Sequence, residues 1–302
     1  MKTGTSRWLL GVFVMGAALK VSSGAEATGL ASAIKAAAEG HFPEPAVVEV
    51  EGSYKKRLQA VKLFSTGVGI ANNQTQFVVP KDTVKSVFKA LDRYGFASMP
   101  EQFGGRPRPT NKPEMRSAVT VRIGSWEKTV TQMRDGEQSK RFAKLVSTIF
   151  SNVEASRAQG VSVATLQEGL KAIVEGKLAP ETLSFTLAWE EHPKAFAVFA
   201  VSGLYVRWTP AGGGDIKRYW LGGEKARELA KLLLALEPDQ RSARFYWPTP
   251  VCLAVSVLNQ HCIAEGLAWA GSVGERERAF AARWESVNQE LRRVLKEAML
   301  ER

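Results

Sequence analysis

Apolar residues recur at helical spacing in several stretches of the chain. In the stretch 77–100, Val84, Val87, Phe88 and Leu91 fall at i, i+3, i+4 and i+7, which predicts a helix with one apolar face. A proline precedes this helix, where its missing N–H costs nothing, and Gly95 can adopt the left-handed conformation that ends a helix. The same periodicity predicts four more helices, over 139–152, 162–175, 224–236 and 275–300.

Between the helices, apolar and polar residues alternate, as they do in strands with one buried face. Glycines at 67, 124 and 203 fit the tight turns between successive strands. The predicted strands are 46–50, 58–65, 68–79, 117–123, 127–133, 183–189, 196–201, 204–209, 216–221, 251–258 and 262–270.

The order of these elements predicts an α+β fold. Each half of the chain reads as three strands, a helix, a hairpin and a closing helix, so we expect two similar units in tandem, built from mainly antiparallel sheets with helices packed on one face. The first unit is placed at 46–153, a linker at 154–162 and the second unit, with its long C-terminal helix, at 163–302. A single domain with one continuous sheet is the alternative.

The N-terminus has the composition of a secretory signal. Lys2 and Arg7 precede an apolar run at 8–19, and small residues at Ala25 and Ala27 suit a signal peptidase. Residues 1–27 are therefore predicted to be a signal peptide and 28–45 a leader segment, with an uncleaved anchor or a buried helix as the alternative. The mature chain has no further stretch of about 20 apolar residues, so we expect a periplasmic or extracellular protein without a transmembrane segment.

Charge adds one expectation about partners. The formal net charge is +11, dispersed along the chain, and a basic exported protein is drawn towards anionic surfaces such as acidic envelope polymers. Electrostatic attachment to such a polymer is one function that this charge permits.

The two cysteines, Cys252 and Cys262, leave the redox state open. Export permits a disulfide between them, and a ten-residue separation can be closed. A hairpin that turns at 259–261 would instead place Cys262 opposite Val257.

Candidate catalytic groups do not converge. Glu190, Glu191 and His192 are consecutive at a strand end, and His261 is adjacent to Cys262, so in each case neighbouring side chains project to opposite faces of a strand. The stretch 222–225 reads as the start of a helix, because it lacks the spacing of a nucleotide-binding loop. We predict no catalytic residue, metal ligand or cofactor.

Two stretches combine aromatic and basic residues, a composition suited to carbohydrate, nucleic acid or acidic polymer. One is 241–247. The other supplies the predicted binding residues, Arg207, Trp208, Lys217, Arg218, Tyr219 and Trp220. The alternative is that their rings fill the core while the cationic heads reach solvent.

These observations favour an exported, non-enzymatic binding or structural protein of the cell envelope. Its partner is expected to be an anionic envelope polymer or another protein, and nucleic acid is not expected. The alternative is an envelope carbohydrate hydrolase or transferase that uses Asp and Glu residues not paired by the sequence.

Overall fold

Two seven-stranded sheets, each with helices on one face, form the protein. In this computed structural model, the residues described are 24–42, 45–54, 57–104, 115–133, 139–158, 160–192, 195–212, 214–238, 243–247, 250–267 and 274–299. The helices are α1 (Gly24–Glu39), α2 (Lys81–Arg93), α3 (Lys140–Glu154), α4 (Leu166–Val174), α5 (Gly223–Ala235) and α6 (Glu275–Glu297).

The strands fall into two groups of seven along the chain. Sheet A contains β1 (Ala46–Tyr54), β2 (Arg57–Phe64), β3 (Val68–Ala71), β4 (Thr75–Val78), β5 (Gln102–Phe103), β6 (Met115–Ile123) and β7 (Trp126–Met133). Sheet B contains β8 (Leu183–His192), β9 (Ala195–Ser202), β10 (Tyr205–Thr209), β11 (Lys217–Trp220), β12 (Ala243–Tyr246), β13 (Val251–Val257) and β14 (Gln260–Leu267).

Both sheets have the same strand order. Sheet A runs β4-β3-β2-β1-β6-β7-β5 and sheet B runs β11-β10-β9-β8-β13-β14-β12, so each strand of sheet B corresponds to the strand seven places earlier. Every neighbouring pair is antiparallel except the last in each sheet, where β5 is parallel to β7 and β12 is parallel to β14. The predicted α+β fold with two similar units is confirmed.

Several predicted boundaries were wrong. The stretch 68–79 is two strands rather than one, because Asn72 and Asn73 adopt left-handed conformations (φ of 50° and 54°) and reverse the chain between β3 and β4. The short parallel strands β5 and β12 were not predicted, since neither carries enough residues for an alternating pattern.

The expected leader segment at 28–45 instead belongs to the first unit. Most of it is helix α1, whose Leu30, Ile34 and Ala37 are buried in the same core as α2 and α3. Small residues permit this close packing, since a side chain at Gly29 would lie 2.5 Å from the Trp126 ring. Helix α1 thus corresponds to α4 of the second unit. The predicted signal peptide, 1–27, lies outside the described residues except for its last four.

Each unit has its own core between the helices and one face of its sheet, which we call the inner face. The outer face of sheet A is partly covered by the second unit. Three of its side chains, Val47, Phe64 and Ile70, are buried in the second unit's core cluster. Gly203, in the β9–β10 turn, has a φ of 63°, and a Cβ there would lie 2.7 Å from the Phe64 ring. This turn therefore needs glycine both for its backbone conformation and for contact with sheet A.

Hydrogen bonds join the units around this contact. The Tyr205 hydroxyl donates to the Pro45 carbonyl, and the Thr66 hydroxyl donates to the Glu181 carboxylate at 2.9 Å. Gln76 accepts a bond from the backbone N–H of Ala179 at 2.7 Å through its side chain. Its backbone also pairs with Val161, so the connecting segment covers the β4 edge of sheet A.

Candidate binding face

The six predicted binding residues lie on two neighbouring strands, β10 and β11. These strands pair antiparallel, with Arg207 opposite Arg218 and Trp208 opposite Lys217. Strand β11 is the last strand at this end of sheet B. The fold therefore brings the predicted residues together, although seven residues, 210–216, separate the two strands along the chain.

Strand alternation divides the six residues between the two faces of sheet B, and Lys217, opposite Trp208 at the sheet edge, is on the inner side but exposed. Trp208 and Tyr219 are on the inner face and pack against the second unit's core. The Trp208 ring lies 4.5 Å from the Phe199 ring and 5.7 Å from the Trp189 ring, measured between centroids. Both rings therefore contribute to the core, which was the alternative to ligand binding for these two residues.

Arg207, Arg218 and Trp220 are on the outer face. Trp220 is 37% exposed, and its ring meets the Tyr205 ring edge-on at 5.3 Å. Because the Tyr205 hydroxyl donates a hydrogen bond to Pro45 of the first unit, this ring contact places Trp220 beside the junction of the two units.

Arg218 belongs to an ion-pair network that crosses the junction. It lies 2.9 Å from Glu127 of strand β7, and Glu127 also lies 3.4 Å from Arg122. Arg122 contacts Glu49 at 2.5 Å, and Lys62 contacts Glu49 at 3.1 Å. We call these five residues the seam network.

Electrostatics within the seam network favour the charged forms. Burial alone would raise the pKa of Glu49, but the nearby Lys62 and Arg122 outweigh it and lower the pKa below its usual value. Burial would likewise lower the pKa of Arg122, yet Glu49 and Glu127 raise it. A lowered carboxyl pKa suits a permanent ion pair and is opposite to what a general acid requires.

Arg207 differs from Arg218 in its contacts within the part of the chain that the structure describes. Among the described residues it has no ion pair or hydrogen bond through its side chain, and it is half-buried. The bond from Leu221 N–H to the Leu204 carbonyl fixes the pairing pattern, which makes Arg207 and Arg218 a non-hydrogen-bonded pair with closely spaced side chains. Two like charges directly opposite each other destabilise a sheet unless an anion lies between or beside them.

The rest of the outer face of sheet B has small side chains at its centre. The register aligns these residues in rows across β9, β8 and β13, and all of them are half-buried. They are Ser184, Thr186, Ala188, Val198, Ala200, Cys252, Ala254 and Ser256. We call this outer face, with its small central floor and its larger border residues, the trough.

The corresponding face of sheet A is built differently. When the two sheets are matched at their two-residue β6–β7 and β13–β14 turns, Glu49 and Lys62 occupy the positions of Thr186 and Ala200. Large charged and apolar residues on sheet A thus contact the second unit, whereas sheet B has a floor of small side chains.

The disulfide considered from the sequence does not form, and both cysteines are thiols. Cys252 is opposite Glu265 and Cys262 is opposite Val255. Cys262 is buried on the inner face, whereas Cys252 lies in the trough, so the two thiols are on opposite sides of the sheet.

Cys252 is expected to be unreactive in the folded protein. Burial, together with the neighbouring Glu265 charge, raises its pKa to about 11. At pH 8 the thiolate fraction should be at least ~100-fold below that of a free cysteine, and the reaction with a thiol reagent should slow by a similar factor. In urea, two thiols per chain should react rapidly. Finding no reactive thiol in urea would contradict the reduced state of both cysteines.

The other sequence candidates remain separate. His261 is exposed on the outer face and Cys262 is buried on the inner face, so they cannot act as a catalytic pair. Gly222 adopts a φ of 76° and accepts the first backbone bond of α5, from Ala226, as a helix start does. No group of three or more His, Cys, Asp or Glu residues in the described ranges is arranged to hold a metal ion.

Comparison of this chain with protein-family profiles, with curated proteins and with solved structures finds no significant match. In the part of the chain that the structure describes, no helix combines the length and the apolar composition needed to cross a bilayer.

Proposed function

We propose that this protein is a non-enzymatic binding protein, exported to the cell envelope, that holds an anionic ligand at the border of the trough. The observation that carries the proposal is the Arg207–Arg218 pair on the outer face, in which Arg218 is neutralised by Glu127 and Arg207 has no carboxylate partner among the described residues. The exposed Trp220 ring lies on the same strand and the same face as Arg218.

Two physical arguments support an anion at this place. An anionic group beside Arg207 would relieve the repulsion between the two guanidinium groups, and a guanidinium fork binds carboxylate, phosphate or sulfate through paired hydrogen bonds. A flat exposed ring beside these donors adds an apolar contact for the remainder of the ligand. The formal net charge, which is +11 for the whole sequence and +9 without residues 1–27, would also steer anions towards the protein.

Replacement of Arg207 by glutamine should weaken this binding. On a column of immobilised dextran sulfate, we expect the R207Q variant to elute at clearly lower salt than the parent protein, because one of the site's cationic contacts is lost. The matched control is Arg227→Gln, which removes the same charge from an exposed position on helix α5.

The comparison between the two variants decides the outcome. If R207Q and R227Q lower the eluting salt concentration equally, retention depends on total charge and the site at Arg207 is ruled out. Equal retention of R207Q and the parent protein would also contradict the proposal.

A further inference from the structure

A groove separates helices α2 and α3 on the surface of the first unit. The two helices are antiparallel: the Thr83 hydroxyl, near the start of α2, donates to the Ser156 hydroxyl, just beyond the end of α3, at 2.8 Å. At the other end, the guanidinium of Arg141, near the start of α3, lies directly beside Gly95, just beyond the end of α2. Between these contacts the groove has a volume of about 260 Å³. We call it the α2–α3 groove.

The side chains that line the α2–α3 groove are mostly polar and come from both helices. The polar ones are Ser86, Lys89, Arg93, Tyr94, Thr148 and Asn152. Ala90, which is 5% exposed, is the small apolar residue between them. The lining that the structure describes includes two cations and no carboxylate, since neither acidic residue of α2 belongs to it.

Several hydrogen-bond donors of this lining have no acceptor in the described ranges. Lys89 and Arg93 make no ion pair there, and the Arg93 guanidinium lies 5.9 Å from the centre of the Tyr94 ring. The Asn152 amide and the Tyr94 hydroxyl, both on half-buried side chains, likewise have no hydrogen-bond partner among those residues. Polar groups that leave bulk water are normally paired, so these four side chains are suited to a common acceptor.

The corresponding helices of the second unit carry their own acids. When the buried positions of α2 and α5 are matched, Glu228 of α5 occupies the position of Ser86. Glu228 contacts Arg293 of α6 at 3.0 Å, and Arg293 also contacts Glu290 at 2.5 Å. The second unit thus neutralises the cation between its helices, whereas the first unit has a serine in place of the glutamate.

We propose that the α2–α3 groove binds one compact oxyanion, the phosphate, sulfate or carboxylate group of a small molecule. Lys89 and Arg93 supply positive charge and charge-assisted hydrogen bonds, and Asn152 and Tyr94 add neutral donors. The volume lies below the range of about 300–1,000 Å³ that is usual for drug-sized ligands, which favours a small molecule.

The hydroxyls of the groove have a different part in this site. Ser86 donates to the Asp82 carbonyl and Thr148 to the Lys144 carbonyl, each at 2.8 Å, so their protons are already used. Their oxygens therefore act as acceptors for hydroxyl groups carried by the ligand. The site is distinct from the one at Arg207, because it lies on the helices of the first unit.

The test is nuclear magnetic resonance of the ¹⁵N-labelled full-length protein, titrated with sodium phosphate, sodium sulfate and sodium acetate. Sodium chloride keeps the ionic strength constant throughout. We expect saturable shifts of the backbone amides at 86–94 and 148–152 and of the Asn152 side-chain amide. The oxyanion that binds most tightly then identifies which of the three groups the site prefers.

Replacement of Lys89 by glutamine should weaken this binding about 5- to 10-fold, because one charge-assisted hydrogen bond is lost at a solvent-exposed position. The matched control is Lys231→Gln, which removes the same charge from the corresponding exposed position of α5 and should bind like the parent. Asn152→Ala should weaken binding at least about 3-fold without a change in charge, since a neutral donor is lost. R207Q should also bind like the parent.

Four results would overturn the inference. One is the absence of saturation up to ~50 mM of every oxyanion, well above the millimolar Kd of even a weak site. Another is equal weakening by K89Q and K231Q, which would make the binding an effect of total charge. The third is unchanged affinity in both K89Q and N152A. The fourth is loss of the shifts in R207Q, which would place the oxyanion at the trough and leave the proposed function standing.

Discussion

Replacement of Phe64 by alanine should destabilise the protein by about 3–4 kcal/mol, as expected for a buried phenylalanine. Phe64 belongs to strand β2 of the first unit, yet it is only 2% exposed and lies in the second unit's core cluster. The substitution leaves a cavity against Gly203, where no side chain can move in to fill it. The loss should therefore affect unfolding of the second unit as well as the first.

Urea denaturation followed by tryptophan fluorescence measures this effect, because Trp189, Trp208 and Trp284 all report on the second unit. The control is Phe196→Ala, whose ring is 44% exposed and whose loss should change the free energy of unfolding by less than about 0.5 kcal/mol. If the two variants unfold at the same urea concentration, Phe64 does not couple the units.

Replacement of Arg122 by methionine should have the second largest effect. The change keeps the aliphatic volume and removes the cation that joins Glu49 to Glu127 in the seam network. A fully buried pair loses about 3–5 kcal/mol when one partner is removed, and since the Arg122 side chain is 25% exposed we expect about 2 kcal/mol here. Arg293→Met is the control, since Arg293 also contacts several carboxylates but is 44% exposed, and its loss should be much smaller.

The same variant should change the response of stability to acid. The pKa of Glu49 is lowered in the folded protein, so its contribution is fully present above the unfolded value of about 4.3 and is lost as the pH falls through the lower, folded value. Without Arg122 that pKa should move back up, and the acid-side slope of the free energy of unfolding should flatten. Urea denaturation between pH 3 and 6 measures this slope, and an unchanged slope in R122M would contradict the ion pair.

Local patterns in the sequence were sufficient to predict most of the helices and strands. The spacing of Val84, Val87, Phe88 and Leu91 predicted helix α2, and all four residues are buried in the first core. Where hydrophobic periodicity gave the wrong prediction, the conformational preference or the small size of particular residues decided the structure. The paired asparagines at 72 and 73 reverse the chain inside an apparently continuous strand, and the glycine- and alanine-rich stretch at 24–39 is a core helix because small residues let it pack closely.

The candidate site was predictable only in part. The aromatic and basic composition of β10 and β11 was visible in the sequence, but the division of Arg207 and Trp208 between two faces depends on the strand register. The partners of Arg218 and Phe64 come from residues that are distant along the chain. A single sequence carries no signal for such pairs.

By itself, the sequence determined the α+β class, the repeat of two similar units and the positions of most helices and strands, because hydrophobic periodicity is set by neighbouring residues. Only the tertiary structure decided which face of sheet A is partly covered, which arginine is neutralised, and which one has no carboxylate partner among the residues that the structure describes. Those outcomes depend on how the second unit packs against the first, and that packing joins side chains whose separation along the chain no local pattern records.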